Sequence, residues 1–207
     1  MALSVASQSI AGLSIAAQGI GAVGTQAQGY VAQYIQGSYT FTPPKAGYYK
    51  FVLWGAGGGV TGGGGLGGAS GAYLEITRFL SVTGSVALVI GSGVTANAGQ
   101  DSTATFPNGL VATAGGGAAN NGTPGVATNG DVNLNGSAQG VAGAGTGGGT
   151  GGGGANGGGA PANLPFLGGN GSTALYGTGS APGGAAAASG TNTPGAPGGA
   201  VVFFVKS

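Results

Sequence analysis

Glycine fills 54 of the 207 positions, in runs of irregular length and spacing. A residue without Cβ loses more backbone entropy on folding than any other. Such a chain orders only where close backbone approach compensates for the missing side chains. Collagen is one such solution, but it needs glycine at every third position. Here the run 62–65 is out of register with the run 115–117. A charged, disordered chain is also a poor description. The charged residues are Lys45, Lys50, Glu75, Arg78, Asp101, Asp131 and Lys206, while 41% of the chain is hydrophobic.

The missing residue types narrow the chemistry. There is no His and no Cys, so no imidazole base, thiolate nucleophile, disulfide or thiolate metal site is available. Glu75 and Arg78 are three apart on a strand pattern and face opposite sides, and Asp101 lies beside a turn. The segment GAGGG (55–59) follows a strand, but the amphipathic helix of a dinucleotide site does not follow it. NGDVNLNG (129–136) offers side-chain oxygens with too few acids for a calcium loop. No enzymatic activity is therefore expected, and no catalytic, cofactor-binding or metal-ligating residue is assigned. A net charge of +1 without a basic patch argues against nucleic-acid binding. No apolar run approaches the roughly 18 residues of a membrane span, so no membrane insertion is expected. The N-terminus does not have the pattern of a secretory signal.

Three regions follow one another. Residues 1–37 are uncharged and carry apolar or small residues at a three-four spacing. This predicts an attachment or oligomerisation arm, with Leu3, Ile10, Leu13, Ile20, Val31 and Tyr34 as candidate partner contacts. Loose copies such as SVASQSIAG (4–12) and SIAAQGIG (14–21) leave an extended arm equally open. Residues 38–207 form a glycine-rich β domain. Its predicted strands are 38–42, 48–55, 72–79, 85–91, 103–106, 110–114 and 200–206, with Pro107-Asn108-Gly109 as a hairpin signal. In 48–55, Tyr49, Phe51 and Leu53 share one face. Val52 and Trp54 share the other with Lys50, so neither face is expected to be fully solvated. The fold class is mainly β: a small antiparallel β-sandwich with long glycine-rich excursions that could pack as polyglycine II. The low-complexity tract 115–199 contains an island, 163–179, where Phe166, Asn170 and Tyr176 are candidate receptor-loop contacts. The simpler and preferred reading is that the same island ties the loop back onto the sandwich.

The order of these pieces resembles the glycine-rich domains of bacteriophage tail-fibre, spike and adhesin proteins. YTFTPPKAGYYKFVLWGAGGG (39–59) is similar to their opening. GGASGAYLEI (67–76), LSVTGSVALVIGSG (80–93), GQDSTATF (99–106), ATAGGGA (112–118) and PGAPGGAVVFFV (194–205) follow in matching order. The resemblance implies a virion protein on the particle surface, a fibre, spike or tip component, and a homo-oligomer such as a trimer. Its expected partners are other virion proteins through residues 1–37, and a host surface glycan or outer-membrane protein. A head or tail decoration protein without receptor binding is the alternative. A polyglycine surface-binding or ice-binding protein would need more regular repeats than residues 115–199 provide.

Overall fold

The computed structural model describes residues 30–60, 67–120, 123–138 and 193–207. Regular structure among these residues is entirely strand. The strands are β1 (Tyr30–Ile35), β2 (Gly37–Phe41), β3 (Gly47–Trp54), β4 (Tyr73–Leu80), β5 (Val86–Ile90), β6 (Ser102–Thr105), β7 (Val111–Ala114), β8 (Ala127–Thr128), β9 (Val132–Leu134) and β10 (Gly199–Lys206). They form two antiparallel five-stranded sheets, ordered β1-β10-β3-β4-β9 and β2-β5-β6-β7-β8. This is the expected mainly-β sandwich. β10 returns to the first described strands, wedged between β1 and β3.

Alternation along the strands sets the core. Tyr49, Phe51 and Leu53 of β3 and Leu74 and Ile76 of β4 face Val86, Leu88 and Ile90 of β5, all buried. Phe41 packs edge-on to both Tyr49 and Phe51, and Phe51 packs edge-on to Phe106, with centroids 5.3–5.5 Å apart. Each such pair contributes about 0.5–1.5 kcal/mol beyond area burial. The Tyr49 hydroxyl keeps a partner by donating to the Lys45 carbonyl at 2.8 Å.

β1 lies inside the stretch 1–37 that the sequence assigns to an arm. Its pairing with β10 attaches these six residues to the first sheet. The chain then passes to the second sheet through Gln36 alone, and Gly37 adopts φ +124° there. Glycine tolerates this left-handed region without the Cβ clash other residues incur.

One end of the sandwich is a layer of extended backbone. Segment 55–60 leaves β3 and runs through its centre, buried throughout. Its amides donate in turn to three neighbours. Gly55 bonds Ala72 O, Ala56 bonds Gln100 O, and Gly57 bonds Ala196 O; Gly58 then bonds Ala69 O, Gly59 bonds Asn97 O, and Val60 bonds Thr193 O. Each neighbour therefore receives every third residue and runs antiparallel to the central rod. Three residues per turn is the period of polyproline II. Segment 115–118 is bonded in the same dispersed way, reaching Val126 O, the Asp101 carboxylate, Ala56 O and Thr123 O.

Side chains are excluded where rods touch. A Cβ at Gly71 would lie far inside van der Waals contact distance of Gly55 O, and one at Gly58 far inside that of Ala118 O. Gly71→Ala therefore forces backbone apart and should cost about 3 kcal/mol or more. At Gly109 nothing lies within 4 Å of a built Cβ and only φ +83° is strained, so Gly109→Ala should cost about 1–2 kcal/mol. Urea unfolding midpoints of the two variants measure this difference; equal losses would show that backbone contact in the layer is not limiting.

Candidate interaction surfaces

The strands give the sandwich two unlike ends. β3 runs from Gly47 at one end to Trp54 at the other, where it enters the glycine layer. Lys45, Tyr48, Phe79, Pro107 and Lys206 lie towards the opposite end, which the β3 register places beyond Lys50.

At the glycine end, buried polar groups are bonded across the two sheets. The Ser102 hydroxyl donates to Trp54 O at 2.7 Å and accepts the Gly91 amide at 3.0 Å. Three internal stretches of the chain, 61–66, 121–122 and 139–192, fall outside the described residues. Their flanks lie in or beside this layer: Val60 bonds Thr193, Ala69 bonds Ala118, Ala118 bonds Thr123, and Ser70 bonds Ser137.

The outer face of the first sheet carries a cross-strand ladder. Trp54 pairs with Tyr73, Val52 lies between Val201 and Glu75, Lys50 between Phe203 and Thr77, and Tyr48 between Lys206 and Phe79. Trp54 and Tyr73 stack edge-on at 5.4 Å and are buried, together with Val52 and Val201. The shared burial of Val52 and Trp54 follows their expected lack of solvation. Trp54 Nε1 is buried without a hydrogen-bond partner, which costs about 1–3 kcal/mol. Burial raises the Tyr73 hydroxyl pKa far above its ordinary value, and its hydrogen bond to Glu75 and that residue's charge add to the shift. Lys50 Nζ reaches Glu75 Oε2 at 3.2 Å.

Exposure rises along this ladder away from the glycine layer, from 2% at Trp54 to 40% at Tyr48 and 56% at Phe79. Tyr48 and Phe79 stack edge-on at 5.5 Å, and Lys206 Nζ lies 5.4 Å from the Tyr48 centroid. Lys45 Nζ sits 3.8 Å above the Phe204 ring. All four Lys and Arg residues of the chain lie in this half of the sandwich. Arg78 bonds Asp131 Oδ1 at 2.8 Å, pinning the loop before β9 to β4.

Asp131 also accepts the Thr77 amide at 2.6 Å. Its bonds thus tie β4 to the loop before β9. Likewise, Asp101 accepts the Gly116 amide at 2.8 Å.

Of the sequence-derived contacts, Val31 and Tyr34 fall on β1. Val31 is exposed, while Tyr34 is partly buried against the core and stacks on Tyr39 at 4.8 Å. Leu3, Ile10, Leu13 and Ile20 of the arm, and Phe166, Asn170 and Tyr176 of the island, lie outside the described residues. The Tyr48–Phe79–Lys206 corner was not singled out from sequence. Its signal is the outward parity of Tyr48 in a strand whose inward residues Tyr49, Phe51 and Leu53 are large.

No protein-family model matches this chain, and no curated protein is similar enough in sequence to count as a relative.

Burial pushes the Asp131 carboxyl upward, but the Arg78 and Thr77 hydrogen bonds and the Arg78 charge outweigh it and hold the pKa below its ordinary value. A depressed folded-state pKa contributes stability above the unfolded value of about 4 and loses it as pH falls through the folded value. Asp131→Asn should therefore flatten the acid limb of the stability profile below about pH 4. Chemical denaturation across that window tests this: an unchanged acid limb would show that the bridge is not coupled to folding.

Proposed function

We propose that this chain is a structural protein of a bacteriophage virion, a fibre, spike or tip component that takes part in attachment to the host surface, and not an enzyme. The observation that carries the reading is the arrangement of the glycine layer. The ordered run of glycine motifs, from 55–59 through 67–72, 91–100 and 115–118 to 193–199, is brought into one hydrogen-bonded block at one end of a β-sandwich. The three-residue bonding period supports reading this block as polyglycine II rods.

The flanks of the internal stretches and the entry of residues 1–29 lie at opposite ends of the sandwich. Internal stretches leave and re-enter at the glycine end, where loops can vary without disturbing either sheet. Residues 1–29 join β1 on the side of Phe203, away from the glycine layer. In this reading they bind other virion proteins, and the protein is a homo-oligomer on the particle surface. Phe166, Asn170 and Tyr176 are then contacts presented from the longest glycine-end stretch.

Two measurements test the reading. Peptides of this chain should be found in purified phage particles by mass spectrometry, and immunogold label should fall on a surface appendage. Pre-incubating host cells with the purified protein should slow particle adsorption. Label on the particle without competition would favour a decoration or assembly protein; absence from every particle preparation would overturn the virion assignment.

A further inference from the structure

We propose that the corner of the sandwich opposite the glycine layer is a binding site for an anionic polysaccharide. The inference rests on the attachment reading for its biological sense and goes further in naming the ligand class and the residues. It also differs in place: the contacts expected from sequence are in the glycine-rich tract, whereas this corner shares the end where residues 1–29 enter and sits on β3 and β4, with β10 between it and β1.

Three features meet there. The first is a pair of exposed rings. Phe79 and Tyr48 are neighbours across β4 and β3 on the outer face, edge-on to each other. Both rings keep exposed surface, most of it on Phe79, and the C–H face of a pyranose can stack there. The second is a concavity around the corner from them, at the mouth between the two sheets. It has a volume of about 340 Å³ and is lined by Arg78, Phe79, Ser81, Phe106 and Asn108 among others. Phe79 belongs to both features, so a saccharide lying on the rings can reach into the concavity with its next residue.

The polar groups of the concavity are mainly donors. Asn108 Oδ1 accepts the Leu110 amide at 3.1 Å, which orients the side-chain NH₂ as the remaining group. The Ser81 hydroxyl shares a bond with Thr83. Arg78 uses Nη1 for Asp131 and the Thr77 carbonyl, leaving the rest of its donor fork.

The third feature is charge. Lys45 and Lys206 lie near this corner without a carboxylate partner among the described residues, each placed over an aromatic ring. The acidic side chains on this side of the first sheet, Glu75 and Asp131, are held by Lys50 and Arg78. A neutral glycan would use the rings and leave these cations idle. A uronate, sialate or sulfate group on the same backbone would use both. A second copy of this chain, presenting the same corner, would bring like charges together. Donor-rich surroundings also suit a hydroxylated ring better than an apolar side chain.

The test uses the full chain and defined probes: polygalacturonate, polysialic acid and dextran sulfate, with neutral dextran as comparison, in biolayer interferometry at low and high salt. At least one anionic probe should bind, neutral dextran at least tenfold more weakly, and binding should weaken with salt. Tyr48→Ser with Phe79→Ser should weaken binding about tenfold or more. Lys206→Gln with Lys45→Gln should remove most of the salt dependence. Val126→Ser, an equally exposed position beside the glycine layer, should leave binding unchanged. All substituted side chains are exposed or partly exposed, and unchanged thermal melting will confirm folding.

Failure of every anionic probe would overturn the inference, as would equal binding of dextran or unaltered binding by the Tyr48/Phe79 variant. Self-association abolished by that variant would also overturn it and mark the corner as an interface between copies. None of these outcomes bears on whether the chain is found in particles, which is read separately by mass spectrometry.

Discussion

Backbone-to-backbone contact in the glycine layer is the constraint on which the rest of this structure depends. β3, β4, β5, β7 and β10 all continue directly into it or emerge directly from it. Rods that touch through carbonyl oxygens can approach only where no Cβ intervenes. Ala56, Ala69, Ala72 and Ala196 alternate with glycine in the same rods and are buried, so small side chains are admitted on faces that do not touch another rod. The hydrogen bonds are dispersed among neighbours instead of laddered to one. Every rod thus depends on several others, and the layer behaves as a block that fixes where the strands begin and end.

The sandwich below supplies what the layer lacks. Its hydrophobic core contains Tyr49, Phe51 and Phe106 and excludes water from β3, β4, β5 and β6. The few charges are spent on joining elements: Lys50 to Glu75 across β3 and β4, Arg78 to Asp131 across β4 and the β9 loop. The more exposed Arg78–Asp131 pair adds little stability by itself, so its value here is in positioning. What is left over, two lysines and an exposed aromatic pair, gathers away from the glycine layer.

Much of the sandwich was legible in the sequence. Alternation in YYKFVLW and VALVI, and the Asn108-Gly109 turn, locate β3, β5 and the β6–β7 hairpin to within a residue or two. The outer-face burial of Trp54 was legible too, because Val52 and Trp54 have no polar company apart from Lys50. β1 was hidden because Val31 and Tyr34 fit a three-residue spacing as well as they fit a strand edge. β8 and β9 span two and three residues, too short for alternation to register. The rods of the layer were recognisable as glycine-rich but not their pairing, since a glycine has no side chain whose pattern could encode a neighbour. The Tyr48–Phe79 corner needed the cross-strand register before two residues 31 positions apart could be seen as one surface.

The position of β10 between β1 and β3 sets the order in which the molecule can assemble. Nine described strands precede it in the chain, yet the edge strand β1 has no partner in the first sheet until Gly199–Lys206 arrives. The residues just before it, Thr193 to Gly198, also complete the bonding of Gly57 and Val60 in the glycine layer. Both halves of the fold therefore close together and late, through contacts that span most of the chain. Such long-range closure is slow. A chain emerging from the ribosome would hold β3 and β1 apart, with their facing edges unpaired, until β10 was free to enter. Partners that recognise the closed sheet would thus engage only chains in which β10 has inserted, which makes that strand a checkpoint on assembly.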